Sequence, residues 1–180
     1  KSTKRIMQAM KMIATVKYAK TQVMISSFRP YYDAYRKIIS TVSKMSTKNG
    51  EKYLKQKEGS NDLLILISSD RGLCGSYNSN LFRKVEKSEK IYNANIFIGK
   101  KGKDYFKHSS MLDEDFSFSE KNFKEVSKNL SPRILEKYLN NEIDNVYVGY
   151  NKFISAITQE PTVMRALPFQ IDDLSDESSA

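Results

Sequence analysis

At 180 residues and 20.7 kDa, the chain has room for one domain, or for one domain with an extended element. With 39% hydrophobic and 28% charged residues it reads as ordered, and no run approaches the roughly 18–20 apolar residues of a membrane-spanning helix. A single cysteine, Cys74, excludes an internal disulfide; with a single histidine, His108, it supplies no Cys/His set for zinc, and the net charge of +9 points toward an acidic partner.

That charge is uneven. Residues 1–48 hold 11 Lys/Arg against Asp33 alone, so the remaining residues, with 19 basic and 20 acidic groups, are nearly neutral. Along the same segment Ile6, Ala9, Met10, Ile13, Val16 and Val23 recur at helical steps, and Tyr35, Ile38, Ile39, Val42 and Met45 resume them. The spacing predicts a helix of ~45 residues, ~68 Å at 1.5 Å per residue, with a kink at Pro30. An apolar stripe on so long a helix needs a partner helix, and none of similar length follows in the sequence. The chain starts at Lys1 without Met and without a basic-apolar-small signal segment, so a trimmed start is expected.

From Asn49 to Asp62 polar residues dominate and a linker is expected. Leu63–Ile67 then reads as a strand buried on both faces, followed by the turn Ser68-Ser69-Asp70-Arg71-Gly72-Leu73-Cys74-Gly75 and a helical stretch from Tyr77 to Lys90. Asn95–Ile98 is a second strand, with Gly99-Lys100-Lys101-Gly102 and a short helix after it. Residues 123–139 form a third helical segment, with an interruption expected near Ser131-Pro132, before the strand Asn145–Tyr150. Pro161–Phe169 is expected as a final antiparallel strand, and Asp172, Asp173, Asp176 and Glu177 close the chain in an acidic tail. Strands alternating with helices imply an α/β fold: a Rossmann-like domain with a mostly parallel sheet. The expected division is 1–58 for the long helix and linker, 59–169 for the α/β domain and 170–180 for the tail.

Such a sheet invites a search for a nucleotide site, yet neither GxGxxG nor GxxxxGK[ST] occurs. Gly72, Gly75, Gly99 and Gly102 form only GxxG pairs, whose expected role is positive φ and close backbone packing. Cys74 precedes a helix start, where a thiolate could gain from the dipole, but a Cys between Leu73 and Gly75 is expected to be a small buried residue. Asp70 is expected to brace the turn through backbone N–H groups. Asp113-Glu114-Asp115 and Asp172-Asp173 sit in polar surroundings and are expected to be solvated. No catalytic, metal or cofactor-binding residue emerges.

Several motifs occur together and in order. Lys1-Ser2-Thr3-Lys4-Arg5-Ile6, then Gln8–Ala14 and Lys17, resemble the N-terminal helix of the ATP synthase gamma subunit family. Ser69-Asp70-Arg71-Gly72-Leu73-Cys74-Gly75-Ser76-Tyr77-Asn78 resembles that family's most distinctive loop. Ile98–Gly102 resembles its next loop, and Tyr150–Phe153 with Pro161 and Leu167-Pro168 its final strands.

The resemblance implies a non-catalytic central-stalk rotor coupling proton or sodium flow to ATP synthesis. Its N-terminal helix would be half of an antiparallel coiled coil, the partner helix missing from a sequence truncated at both ends. The implied partners are the alpha and beta subunits of the catalytic ring, the epsilon subunit and the c-ring, with no cofactor and no nucleic acid. Lys4, Arg5, Met10, Lys11 and Lys17 would face the alpha/beta ring, Met10 opposite an acidic loop of beta. Asp70, Arg71, Gly72, Leu73, Cys74, Gly75, Asn78, Gly99 and Gly102 would build the loops of the foot. The implied place is the cytoplasmic face of a bacterial plasma membrane, peripheral to it, the mitochondrial inner membrane being the alternative. Two other readings rest on residues alone: a basic nucleic-acid-binding helix, whose affinity would fall steeply with salt, and a small α/β enzyme using Cys74 or Asp70.

Overall fold

The computed structural model describes residues 2–44, 50–55, 57–88, 90–109 and 123–169. The acidic segments at 113–115 and 170–180 lie outside these residues. The long helix and residues 50–169 belong to separate compact units and are described in turn.

Helix α1 spans Ser2–Lys44. Ala, Met, Lys and Gln favour helix along much of its length, and its Ser and Thr residues bond within it. Thr15, Thr21 and Thr41 donate to the carbonyls of Lys11, Lys17 and Lys37, each at 2.9 Å, so their hydroxyls do not compete for other backbone groups. The helix runs on through Pro30, whose ring removes one N–H donor. Between Thr3 and Thr41 every side chain is exposed except those of Arg36, Ile39 and Ser40, which are half-buried.

The second unit is a sheet of four strands in the order β2-β1-β3-β4. β1 (Asp62–Ile67) pairs in parallel with both β2 (Ala94–Ile98) and β3 (Asn145–Phe153), and β4 (Gln159–Leu167) runs antiparallel to β3. Side chains alternate across β1, so its leucines feed two cores. Leu63 packs with Ile96, Leu130, Ile134, Ile143 and Val146 on one face. Leu64 and Leu66 pack with Leu81, Phe82, Val85 and Phe97 on the other. Helices α3 (Tyr77–Glu86) and α5 (Phe123–Leu139) supply the covering residues, with the short α2 (Glu51–Leu54) before β1 and α4 (Lys100–Tyr105) after β2. The sheet is therefore α/β and mostly parallel, with a layer on each face.

Helix α5 continues through Pro132, where the sequence suggested an interruption. Leu130, Ile134 and Tyr138, four residues apart, are all buried, and that burial outweighs the missing N–H. The helix closes with Asn141 in the left-handed region, φ 61°. Glu142 N–H reaches back to the Lys137 carbonyl at 2.9 Å and Asn141 N–H to that of Tyr138 at 3.2 Å, a Schellman closure with Asn in the place of Gly.

Lys52, Tyr53 and Lys57, in the segment expected as linker, are bonded to this unit. Lys57 Nζ donates to the carbonyls of Tyr138 and Ile143, the latter at 3.0 Å, and sits 3.9 Å from the centre of the Tyr138 ring. A cation at a helix C-terminus complements the dipole there. Desolvation lowers the Lys57 pKa from the ordinary lysine value, against the opposing pull of Asp144.

At the amino ends of β1 and β3 the buried Asp62 carboxylate is satisfied on both oxygens. Lys90 pairs with Oδ2 at 2.7 Å and Asn145 Nδ2 donates to Oδ1 at 2.6 Å. Burial alone would lower the Lys90 pKa, but its bonds to Asp62 and Tyr147 raise it overall. This buried carboxylate thus has a structural duty, consistent with the rule that a buried charge needs a partner.

Candidate functional site

Helical geometry sorts the candidate contact residues of α1. At about 100° per residue, positions seven apart share a face. Lys4 and Lys11 lie together, opposite the stripe of Ile6, Met10 and Ile13, while Met10 and Lys17 belong to that stripe and Arg5 stands between the two sides. All five are exposed, Met10 at 56%. The helix therefore presents an apolar stripe that carries one ammonium group, Lys17, with Lys4 and Lys11 on the opposite side. A partner burying Met10 would meet Lys17 on the same line, while Lys4 and Lys11 would meet something else.

The second group of candidates lies at the carboxyl ends of β1 and β2, where the two loops are stitched together. Ser68 N–H donates to the Ile98 carbonyl at 2.7 Å, and Ser68 Oγ accepts from Gly102 N–H at 2.8 Å. Gly99 has φ 95°, and a Cβ there would lie 2.2 Å from the Ser68 carbonyl oxygen, so only glycine fits this crossing. Asp70 Oδ1 accepts from Lys100 N–H at 3.1 Å, bracing the neighbouring loop instead of its own turn. Lys101 N–H donates to the Ser69 carbonyl at 3.0 Å. Asn78 links loop and helix: its Oδ1 accepts from Ser69 N–H at 3.1 Å, and its Nδ2 donates to Ser69 Oγ at 2.8 Å and Cys74 Sγ at 3.2 Å.

These contacts decide the phosphate question for the second loop. A phosphate cradle needs successive amides pointing outward. Here the amides of Lys100, Lys101 and Gly102 are engaged by Asp70, Ser69 and Ser68. Asp70 also places a carboxylate where an anion would sit. The loops are a joint between two strands.

Asp70, Asn78, Gly99 and Gly102 thus meet in one network, while Arg71, Gly72, Leu73, Cys74 and Gly75 form an excursion from it. Leu73 is wholly exposed and left-handed at φ 60°, with Gly75 left-handed at φ 59°. This pair of turns lifts the segment off the core and corrects the expectation for Cys74, whose thiol is exposed. Gly72 has no left-handed φ and meets only the end of the Lys101 side chain, so the packing role expected of it falls to Gly99 and Gly102. Sequence reasoning passed over Ser68 and Ser69. The signal was a pair of hydroxyls closing a buried strand just before the Asp.

Among the described residues no group of His, Cys, Asp and Glu could hold a metal ion. An open cleft of about 490 Å³ lies at the opposite, amino end of the strands, lined in part by Lys57, Asp62, Lys90, Asn145 and Tyr147. Ligands of α/β sheets favour the carboxyl end; of the charged groups of this cleft, Asp62 and Lys90 pair with each other and Lys57 is engaged by the carbonyls of Tyr138 and Ile143, while Glu58 and Arg165 complete the lining.

A family profile described as ATP synthase matches residues 1–180. The chain belongs to the ATP synthase gamma-chain family. It is 33% identical over 190 residues to the ATP synthase gamma chain of Glaesserella parasuis serovar 5, covering 99% of this chain and 66% of that one. With the gamma chain of Fusobacterium nucleatum it shares 36% identity over 174 residues, 93% of this chain and 62% of the other. The chain thus spans somewhat less than two thirds of these relatives. Its fold is similar to that of a chain in the Tetrahymena thermophila mitochondrial ATP synthase central stalk and c-ring, with a TM-score of 0.62 at 22% identity over 91% of this chain and 72% of that one. No described helix is long and apolar enough to cross a membrane.

Proposed function

We propose that this chain is the rotor portion of a gamma subunit: a non-catalytic shaft and foot that couples proton or sodium flow to ATP synthesis by turning inside a ring of alpha and beta subunits. The observation that carries the reading is the match of the whole chain to bacterial gamma chains at 33–36% identity. On this reading residues 1–58 supply the shaft helix and the segment that joins it to the foot, 59–169 form the body of the foot, and 170–180 lead to a second shaft helix. Lys4, Arg5, Met10, Lys11 and Lys17 touch the alpha/beta ring, and the foot meets the epsilon subunit and the c-ring. The subunit is peripheral, held at the cytoplasmic face of a bacterial plasma membrane through its complex.

The mechanism follows from asymmetry. A helix whose stripe of Ile6, Met10 and Ile13 also carries Lys17, and whose opposite side carries Lys4 and Lys11, presents a different surface to each beta subunit as it turns. Each orientation favours a different conformation of the subunit it faces, which is coupling through differential contacts. No residue of the chain has to perform chemistry for this.

The test is purification of the full-length subunit from its own membranes in mild detergent. Alpha, beta, epsilon and c-ring subunits are expected in one complex, with no ATPase activity from the subunit alone. Recovery of the chain with nucleic acid, or by itself, overturns the reading.

A further inference from the structure

Residues 52–55 and 57–61 hold few apolar side chains, yet they are fastened at Lys52, Tyr53, Lys57 and Asn61 to one corner of the α/β unit. Tyr138, fully buried, donates its hydroxyl to the Lys52 carbonyl at 3.1 Å. Phe169 N–H donates to the Tyr53 carbonyl at 2.7 Å. Lys57 grips the carbonyls of Tyr138 and Ile143. Asn61 and Asp144 exchange two bonds, Asn61 N–H to Asp144 Oδ2 and Asp144 N–H to the Asn61 carbonyl, each at 2.9 Å. Every acceptor and donor on the far side belongs to residues 138–144 or to Phe169, just beyond the last strand.

The geometry matters because a lone strand cannot carry torque. It swivels about its φ and ψ bonds, the soft dihedrals of each residue. Hydrophobic contacts resist separation but are non-directional, whereas hydrogen bonds weaken steeply when bent. Two strands bonded to each other and to a third element can therefore resist twisting. Here the segment leading into β1 and the segment leaving β4 are bonded at Tyr53 and Phe169, and the first of them is also held to the end of α5 through Lys52 and Lys57.

We propose that segment 52–61, closed by Lys57 and Tyr138, is a clasp that passes twisting force between the chain before it and the sheet after it. The inference rests on the rotor reading. It assigns to Lys57 and Tyr138 a positioning role that neither the motif loops nor the basic helix performs.

The test uses the full-length subunit assembled in its complex and reconstituted into vesicles, with ion uptake and ATP hydrolysis followed together. Lys57→Met keeps the aliphatic stem and removes the ammonium group; Tyr138→Phe keeps the buried ring and removes one hydrogen bond. Both variants are expected to pump normally with no opposing gradient and to lose at least about half of the ions moved per ATP against a steep one, the load dependence of a joint that slips under torque. Lys57→Arg, which can still donate to both carbonyls, is expected to restore the ratio. Unchanged load dependence in both variants, even with lowered melting temperature, means the segment is structural only and overturns the proposal.

Amide exchange at Phe169 supplies a second readout, independent of pumping. It should quicken at least about tenfold in Lys57→Met, which loses two charge-assisted hydrogen bonds; no change refutes the clasp. Failure of the unmodified subunit to assemble with alpha and beta counts against the rotor reading, while the exchange rate still judges the clasp.

Discussion

The long helix and the α/β unit draw their order from different sources. In the sheet, Leu63, Leu64 and Leu66 are at most 2% exposed and each face has its own cluster. Helix α1 has no such support of its own, since Ile6, Ile13, Val16 and Val23 are all at least 57% exposed. Its order comes from residue propensity and local side-chain bonds, without the tertiary packing that supplies most helical stability in proteins. The contrast separates a unit specified by its own interior from an element that needs a companion to be stable.

Substitutions can break or sharpen that contrast. Leu66→Ala, at a fully buried position, should destabilise the α/β unit by about 2–5 kcal/mol, read from denaturant unfolding by the near-ultraviolet tyrosine signal. Helical signal from α1 should not follow the same midpoint; a single shared transition would show that the two regions are ordered together.

A gain is expected at the exposed loop. Leu73 holds a left-handed conformation with no packing to lose, so Leu73→Gly should raise stability by about 0.5–1 kcal/mol, visible as a higher melting temperature. A loss would mean that Leu73 packs in a way its full exposure does not show.

On α1 the same class of change should do little. Ile13→Ala should shift the stability of the chain alone by no more than about 0.5 kcal/mol, because the side chain is exposed and alanine is the better helix former. Met10→Lys should be equally silent in the chain alone, but on the rotor reading should reduce ion pumping per ATP in the assembled complex by placing a further cation on the apolar stripe, beside the acidic loop of beta. Equal coupling with and without the substitution would detach Met10 from the contact surface.

The smallest effect is electrostatic. Lys137, 2.7 Å from Glu142, holds that carboxyl below its ordinary pKa of 4.5 through their hydrogen bond. A lowered carboxylate pKa gives stabilisation that is present above 4.5 and lost as pH falls through the folded value. The carboxyl titration of Glu142 followed by NMR should have its midpoint below 4.5 and return toward it in Lys137→Met. The pair is exposed, so its loss should barely move the unfolding midpoint.

Periodicity made the helix and the strands legible in advance. Ile6, Ala9, Met10 and Ile13 announce α1, and Leu63–Ile67 announces the central strand. Residues 50–61 could not be read this way. Their order comes from bonds to partners more than eighty residues away, such as Lys57 with Ile143 and Lys52 with Tyr138, and such pairs leave no repeat in the sequence. Pro132 misled for a related reason, since the burial of Leu130, Ile134 and Tyr138 overrides a local breaker. Cys74 misled because burial statistics for cysteine do not know that Leu73 and Gly75 turn left-handed on either side of it. The loop residues Asp70, Asn78, Gly99 and Gly102 could be picked out as a group, but their mutual bonding could not.

The closed joint at Gly99 reaches beyond packing. A sheet that held a nucleotide there would stiffen or slacken with the cell's adenylate pool, because a bound ligand stabilises the state that binds it in proportion to the logarithm of its concentration. With its amides engaged by Ser68, Ser69 and Asp70, this joint leaves those three amides to no ligand, so its stiffness is set by the chain's own bonds.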